Sequence, residues 1–155
     1  MKISKPKYLI GRLIGKISGT NNPEMAQQTI RDDIKRSKKT IRVVSCTADM
    51  SYWTDEILNL LERKKEKNPA LDIEFLVGPK LSNGKLEELV KNEVLSLYQL
   101  SERPPCDCRI IDDCSTYTSN HGIDGGKRNF LWTFANIKAV RDRKKYYNKL
   151  KKEVV

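Results

Sequence analysis

The apolar positions of this chain fall into blocks whose spacing changes from one block to the next, and the changes predict alternating helices and strands. Gly11, Gly15 and Gly19 break a helical reading of the first 21 residues, so a short strand is expected over 8–14. Asn22-Pro23-Glu24 predicts a helix start. Asn22 caps, Pro23 occupies the first turn, where its missing N–H costs nothing, and Glu24 meets the positive end of the helix dipole. Ala26, Ile30 and Ile34 follow at intervals of four, with Met25 and Ser37 beside them, as one buried stripe. The β-branched run 40–46 predicts an interior strand. Thr54-Asp55-Glu56 opens a second helix, with Ile57, Leu58, Leu60 and Leu61 as its apolar face and Arg63-Lys64-Lys65 complementing its carboxyl end. Residues 71–77 alternate as a strand that stops at Gly78-Pro79.

Leu86, Leu89, Val90, Val94, Leu97 and Tyr98 recur at helical spacing and predict a third helix over 84–98. After the break at Pro104-Pro105, residues 108–111 and 130–134 read as strands. Asn136 caps a last helix with Ile137, Val140, Tyr147 and Leu150 inward and Lys138, Arg141, Lys145, Lys149 and Lys152 outward. This alternation implies βαβ crossovers, hence an α/β fold with a mostly parallel or mixed sheet flanked by helices. One domain is expected over 22–155, preceded by a basic segment over 1–21. Any site belongs at the carboxyl edge of the sheet, in the loops that begin near Cys46, Gly78 and Asp112.

Composition adds a partner class. The 155 residues include 30 Lys and Arg against 20 Asp and Glu, a formal charge of +10, which favours polyanions such as nucleic acid. A lysine-rich, solvated surface without a ligand is the plainer reading of the same number. No apolar run reaches the ~20 residues of a membrane span; the candidate Tyr8-Leu9-Ile10-Gly11 is interrupted by Arg12 and Lys16. With four cysteines and no secretory leader, a reducing, cytoplasmic setting is expected.

Three cysteines and the single histidine fall in one stretch. Cys106, Cys108, Cys114 and His121 offer the ligand count of a tetrahedral zinc site, so zinc is a candidate metal, although the usual pair of short knuckles is missing. The plainer reading puts Cys108 in the core and leaves the other thiols incidental. A Cys–His nucleophilic pair is a further reading, with no orienting residue to support it. Beyond lies His121-Gly122-Ile123-Asp124-Gly125-Gly126-Lys127-Arg128, where glycine amides can approach a phosphate and Lys127 and Arg128 can neutralise it. Asp124-Gly125-Gly126 is equally a plain hairpin turn.

The succession of elements resembles the phospholipase D-like superfamily over residues 20–153. It is carried by Ser37-Lys38-Lys39, the strand beginning at Thr40, the helix after Thr54-Asp55-Glu56, the strand through Phe75, and Glu102-Arg103-Pro104-Pro105 leading to Arg109-Ile110-Ile111-Asp112. The family signature His-x-Lys-x4-Asp implies a nucleophilic His, a phosphate-binding Lys and an orienting Asp. Here Cys106, Cys108 and Asp113 stand at that spacing, and in a second register Tyr117, Ser119 and Asp124, so only the acid is retained.

The resemblance therefore implies a non-catalytic domain, as a homodimer, that binds a phosphorylated ligand or a nucleic-acid backbone through Lys127, Arg128 and Arg109. A remodelled phosphodiesterase or nuclease is the competing expectation, with His121 as nucleophile, oriented by Asp124 or Asp113 and with Lys127 on the phosphate. A zinc-stabilised interaction module is the third.

Overall fold

The computed structural model describes residues 18–20, 22–45, 52–80, 83–120 and 130–154. Along the chain these form β1 (Ser18–Thr20), α1 (Pro23–Arg36), β2 (Thr40–Ser45), α2 (Asp55–Lys67), β3 (Asp72–Val77), α3 (Gly84–Lys91), β4 (Ser96–Gln99), β5 (Cys106–Ile111), β6 (Ser115–Asn120), β7 (Phe130–Phe134) and α4 (Ile137–Lys151). The helices begin where their capping side chains dictate. Asn22 Oδ1 accepts from the N–H of Glu24 and of Met25, Thr54 Oγ1 from Ile57, Asn83 Oδ1 from Leu86 and Asn136 Oδ1 from Ala139. Each such cap contributes about 1 kcal/mol by satisfying an amide that the helix cannot. The strand expected over 8–14 lies outside the described residues.

The strands form one mixed sheet in the order β1-β7-β6-β5-β2-β3-β4. β2, β3 and β4 are parallel, and every other neighbouring pair is antiparallel. The switch has a topological cause. α1 and α2 return the chain to the amino edge before β2 and β3, but only residues 100–105 separate β4 from β5. With no helix to carry it back, the chain enters β5 from the carboxyl edge and runs antiparallel to β2, pairing Val44 with Cys108 and Ile41 with Ile111. Asp112 consequently lies at the amino edge, hydrogen-bonded through its N–H to Thr40 O. The expectation that its loop shares an edge with those after Cys46 and Gly78 is corrected by this reversal.

Two elements differ from the sequence reading. The third helix stops at Lys91 rather than 98, because Glu93 takes a left-handed conformation (φ 57°) and Val94 N–H reaches back to Leu89 O, a Schellman closure. That closure folds Val94 against the helix, which is why its position fits the helical period although the chain then becomes β4. The stretch 115–120 is strand β6, the middle of an antiparallel meander.

Helices cover both faces. On one, Ile41, Val43, Ile73 and Phe75 pack under α1, α2 and α3, with Trp53 set edge-on to Phe75 at 4.9 Å. On the other, Val44, Leu76, Cys108 and Ile110 pack under Tyr147 and Leu150 of α4. Burial of each of those two α4 side chains is worth about 1.5–3 kcal/mol. Ile137, expected inward, is 76% exposed, and the buried face of α4 begins at Val140. No helix among the described residues is long and apolar enough to cross a membrane.

Candidate functional site

β2 and β3 end, and β5 begins, at the carboxyl edge, where a narrow cleft of about 340 Å³, counting its mouth, is bounded by Ser45, Tyr52, Trp53, Asp107, Cys108 and Arg109. Trp53 lines it from the buried side. Arg109 does not present its charge there. It is 2% exposed, and its guanidinium points under α1, with Nε 2.9 Å and Nη2 2.8 Å from Asp33 Oδ2 and Nη2 3.0 Å from Thr29 Oγ1. Asp33 is shared with Arg36 at 2.7 Å. The expected phosphate contact by Arg109 is thus replaced by an internal ion pair, because its alternation along β5 puts it on the α1 face with Ile111.

Cys108 faces the opposite layer and is fully buried in the core below α4; burial pushes its thiol up to about 12, so it stays protonated and inert. Cys106, half-buried at the start of β5, is held by Tyr146, whose hydroxyl accepts from Cys106 N–H at 3.3 Å and donates to Cys106 O at 2.9 Å. α4 is thereby pinned to the carboxyl edge.

The β5–β6 hairpin carries the remaining candidates to the other edge. Its turn places Asp112 and Asp113 at φ 52° and 53°, conformations that Asp tolerates better than most residues. The Asp112 carboxylate accepts from the N–H groups of Lys38 (2.8 Å), Lys39 (2.7 Å) and Thr40 (2.9 Å), tying the turn to the start of β2. Asp113 pairs with Lys144 at 3.3 Å. Cys114 closes the turn, whereas Cys106 pairs with Asn120 at the far end of the hairpin. Five strand steps, about 17 Å, separate the ends, so Cys106 and Cys114 cannot share the ~2.3 Å bonds of one zinc ion. The four-ligand set is corrected accordingly. Asp113 is likewise remote from Asn120 within the hairpin. His121, Asp124, Lys127 and Arg128 lie outside the described residues.

α4 gathers charge. Lys138, Arg141, Lys145, Lys149 and Lys152 follow one another at intervals of three or four, all exposed, along about 21 Å of one face. None of the five forms a salt bridge with a described residue, and Asp142 is the acid at the flank of the stripe. The inward side is tied down by Glu74, which accepts from Tyr147 Oη and Lys151 Nζ, both at 2.7 Å, while Lys151 also sits 5.0 Å over the Tyr98 ring. Burial alone would raise the Glu74 carboxyl, but the hydrogen bonds from Lys151 and Tyr147 and the charge of Arg42 outweigh it and hold the pKa low. Burial, and then the bond to Glu74, pushes the Tyr147 phenol up. The sequence offered no signal for this network beyond Glu74 set between two apolar residues of a strand.

Among solved structures, NucT from Helicobacter pylori is similar over 90% of this chain and 98% of its own, with a TM-score of 0.67 at 13% identity. The phospholipase D family member Nuc from Salmonella typhimurium matches over 90% and 95%, with a TM-score of 0.65 at 14% identity. The chain has the phospholipase D-like fold. An archaeal chromatin protein, described by its novel mode of DNA binding, is similar with a TM-score of 0.66 at 12% identity; the match covers 92% of this chain but only 54% of that one. No family model matches the sequence, and no curated protein does.

Proposed function

We propose that this chain is a phospholipase D-like domain that holds a nucleic-acid backbone without cleaving it. The observation that carries the reading is the α4 stripe: five exposed cations, free of salt bridges to described residues, at a spacing that suits successive phosphates. Lack of catalysis is supported at the signature spacing, where Cys106 and Cys108 replace the family's His and Lys and the Cys108 thiol is buried and protonated. The DNA-binding chromatin protein of the same fold supports the choice of partner. The near full-length likeness to Nuc and NucT favours a second reading, a nuclease with His121 as nucleophile. Pairing of two chains, which the family resemblance implies, would set two stripes in one particle, and sedimentation equilibrium reads that directly.

Fluorescence anisotropy with a labelled duplex tests the binding. Five phosphate contacts imply roughly a 500-fold weaker association on raising salt from about 50 to about 200 mM, and Lys138→Gln/Arg141→Gln/Lys145→Gln should lower the log–log salt slope by about 2.7. Binding indifferent to salt, or to the triple substitution, removes the proposal. Phosphodiester turnover that vanishes in His121→Ala installs the nuclease in its place.

A further inference from the structure

Helices that cross back over parallel strands run against them, so α1 and α2 both end at the amino edge, and their last turns carry Lys35, Arg36, Lys64, Lys65 and Lys67. Lys38 and Lys39 lie between α1 and β2. A helix macrodipole presents about half a charge at its end, so seven cations exceed what two such ends attract.

Three of the seven are occupied. Lys64 Nζ donates to Lys35 O at 2.7 Å, Lys65 Nζ to Pro69 O at 2.8 Å and Leu71 O at 2.6 Å, and Arg36 pairs with Asp33. These bonds, with Asn68 Nδ2 to Lys38 O at 2.8 Å and the Asp112 carboxylate on the N–H groups of Lys38 and Lys39, fix the backbone of the ridge. Lys35, Lys38, Lys39 and Lys67 are left exposed and without a salt bridge to a described residue. The β5–β6 turn links the ridge to α4: its Asp112 holds the backbone of Lys38 and Lys39, and its Asp113 pairs with Lys144 of α4.

The chemistry of this surface selects its partner. Single-stranded nucleic acid is held by stacking on exposed aromatic rings, and a membrane surface by inserted apolar side chains. The exposed large hydrophobic residues among those described are Leu131 and Ile137, neither on the ridge nor aromatic. Lysine ammonium groups on a fixed backbone recognise phosphate as point charges and read no base.

We propose that the amino-edge ridge is a second row of phosphate contacts, so that α4 and the ridge together grip the two strands of one duplex, away from the carboxyl-edge cleft. This deepens the binding reading above and rests on it.

Anisotropy with a duplex of about three helical turns, its single strand, and phosphatidylserine vesicles tests the inference. Lys38→Gln/Lys39→Gln/Lys67→Gln, with unchanged thermal melting, should weaken duplex binding about tenfold or more and lower the salt slope by about 2–3. Lys80→Gln, removing a charge near the other edge, should leave the slope unaltered. A ridge variant that keeps the parental slope while the α4 variant loses its own overturns the ridge and spares the binding reading. A parent protein with no salt-sensitive affinity for nucleic acid defeats that reading itself. Preference for the single strand or for vesicles over the duplex overturns the choice of partner.

Discussion

The two edges of the sheet are made by the same strands, but they carry charge in opposite ways. At the carboxyl edge α1 and α2 begin, with Glu24, Asp55 and Glu56 in their first turns, and the cleft beside them is bounded by Asp107 and by an Arg109 already neutralised beneath α1. At the amino edge the same helices end in lysines, and four of the cations there meet no described acid. Helix dipoles account for the sign of this sorting, since acids suit amino ends and bases carboxyl ends and both helices run the same way. They do not account for the excess on one side. In an open α/β sheet the carboxyl edge is the usual place to look for a ligand; here the two clusters of exposed cations without a described acid partner lie at the opposite edge and along α4.

The largest effect that bears on this contrast concerns Arg109. If its charge serves the interior rather than a ligand, Asp33→Ala should cost about 3–5 kcal/mol by leaving a buried guanidinium uncompensated. Urea denaturation measures it, and a loss below about 1 kcal/mol would return Arg109 to the cleft as an available cation. A middle-sized effect is expected at the amino edge. Asp112→Ala removes the acceptor of three amide hydrogen bonds, costing about 2 kcal/mol. Freeing the backbone of Lys38 and Lys39 should also weaken duplex binding, although no cation is removed. Full affinity in a folded Asp112→Ala protein would show that the ridge works without being held rigid.

The smallest effect is the pH response of the α4 dock. Glu74 has a lowered carboxyl pKa in the folded chain, so its stabilisation is complete above the ordinary carboxylate range and is lost as pH falls through the folded value. As pH falls below about 5 the protein should therefore lose stability, and Glu74→Gln should lose less over the same interval. Equal losses in the two would assign the acid sensitivity to other carboxylates.

Much of the fold was legible locally. Asn22, Thr54 and Asn136 act on amides two or three residues away, and the apolar periods of α1, α2 and α4 follow from 3.6 residues per turn, so neither depends on distant chain. The cationic stripe on α4 was legible for the same reason. What sequence missed was non-local. A Schellman closure imitated one more helical turn and hid β4, and the missing crossover after β4 reversed β5.

Sequence by itself determined where the helices begin, which of their faces are apolar and that the chain carries surplus positive charge, because each is a matter of neighbours. Only the tertiary structure decided which charges are spent. Asp33 lies 76 residues from Arg109 and Asp112 lies 74 from Lys38, and the hairpin register sends Cys106 and Cys114 to opposite ends of a strand. Pairings of that kind are set by strand direction and layer, which no local pattern encodes.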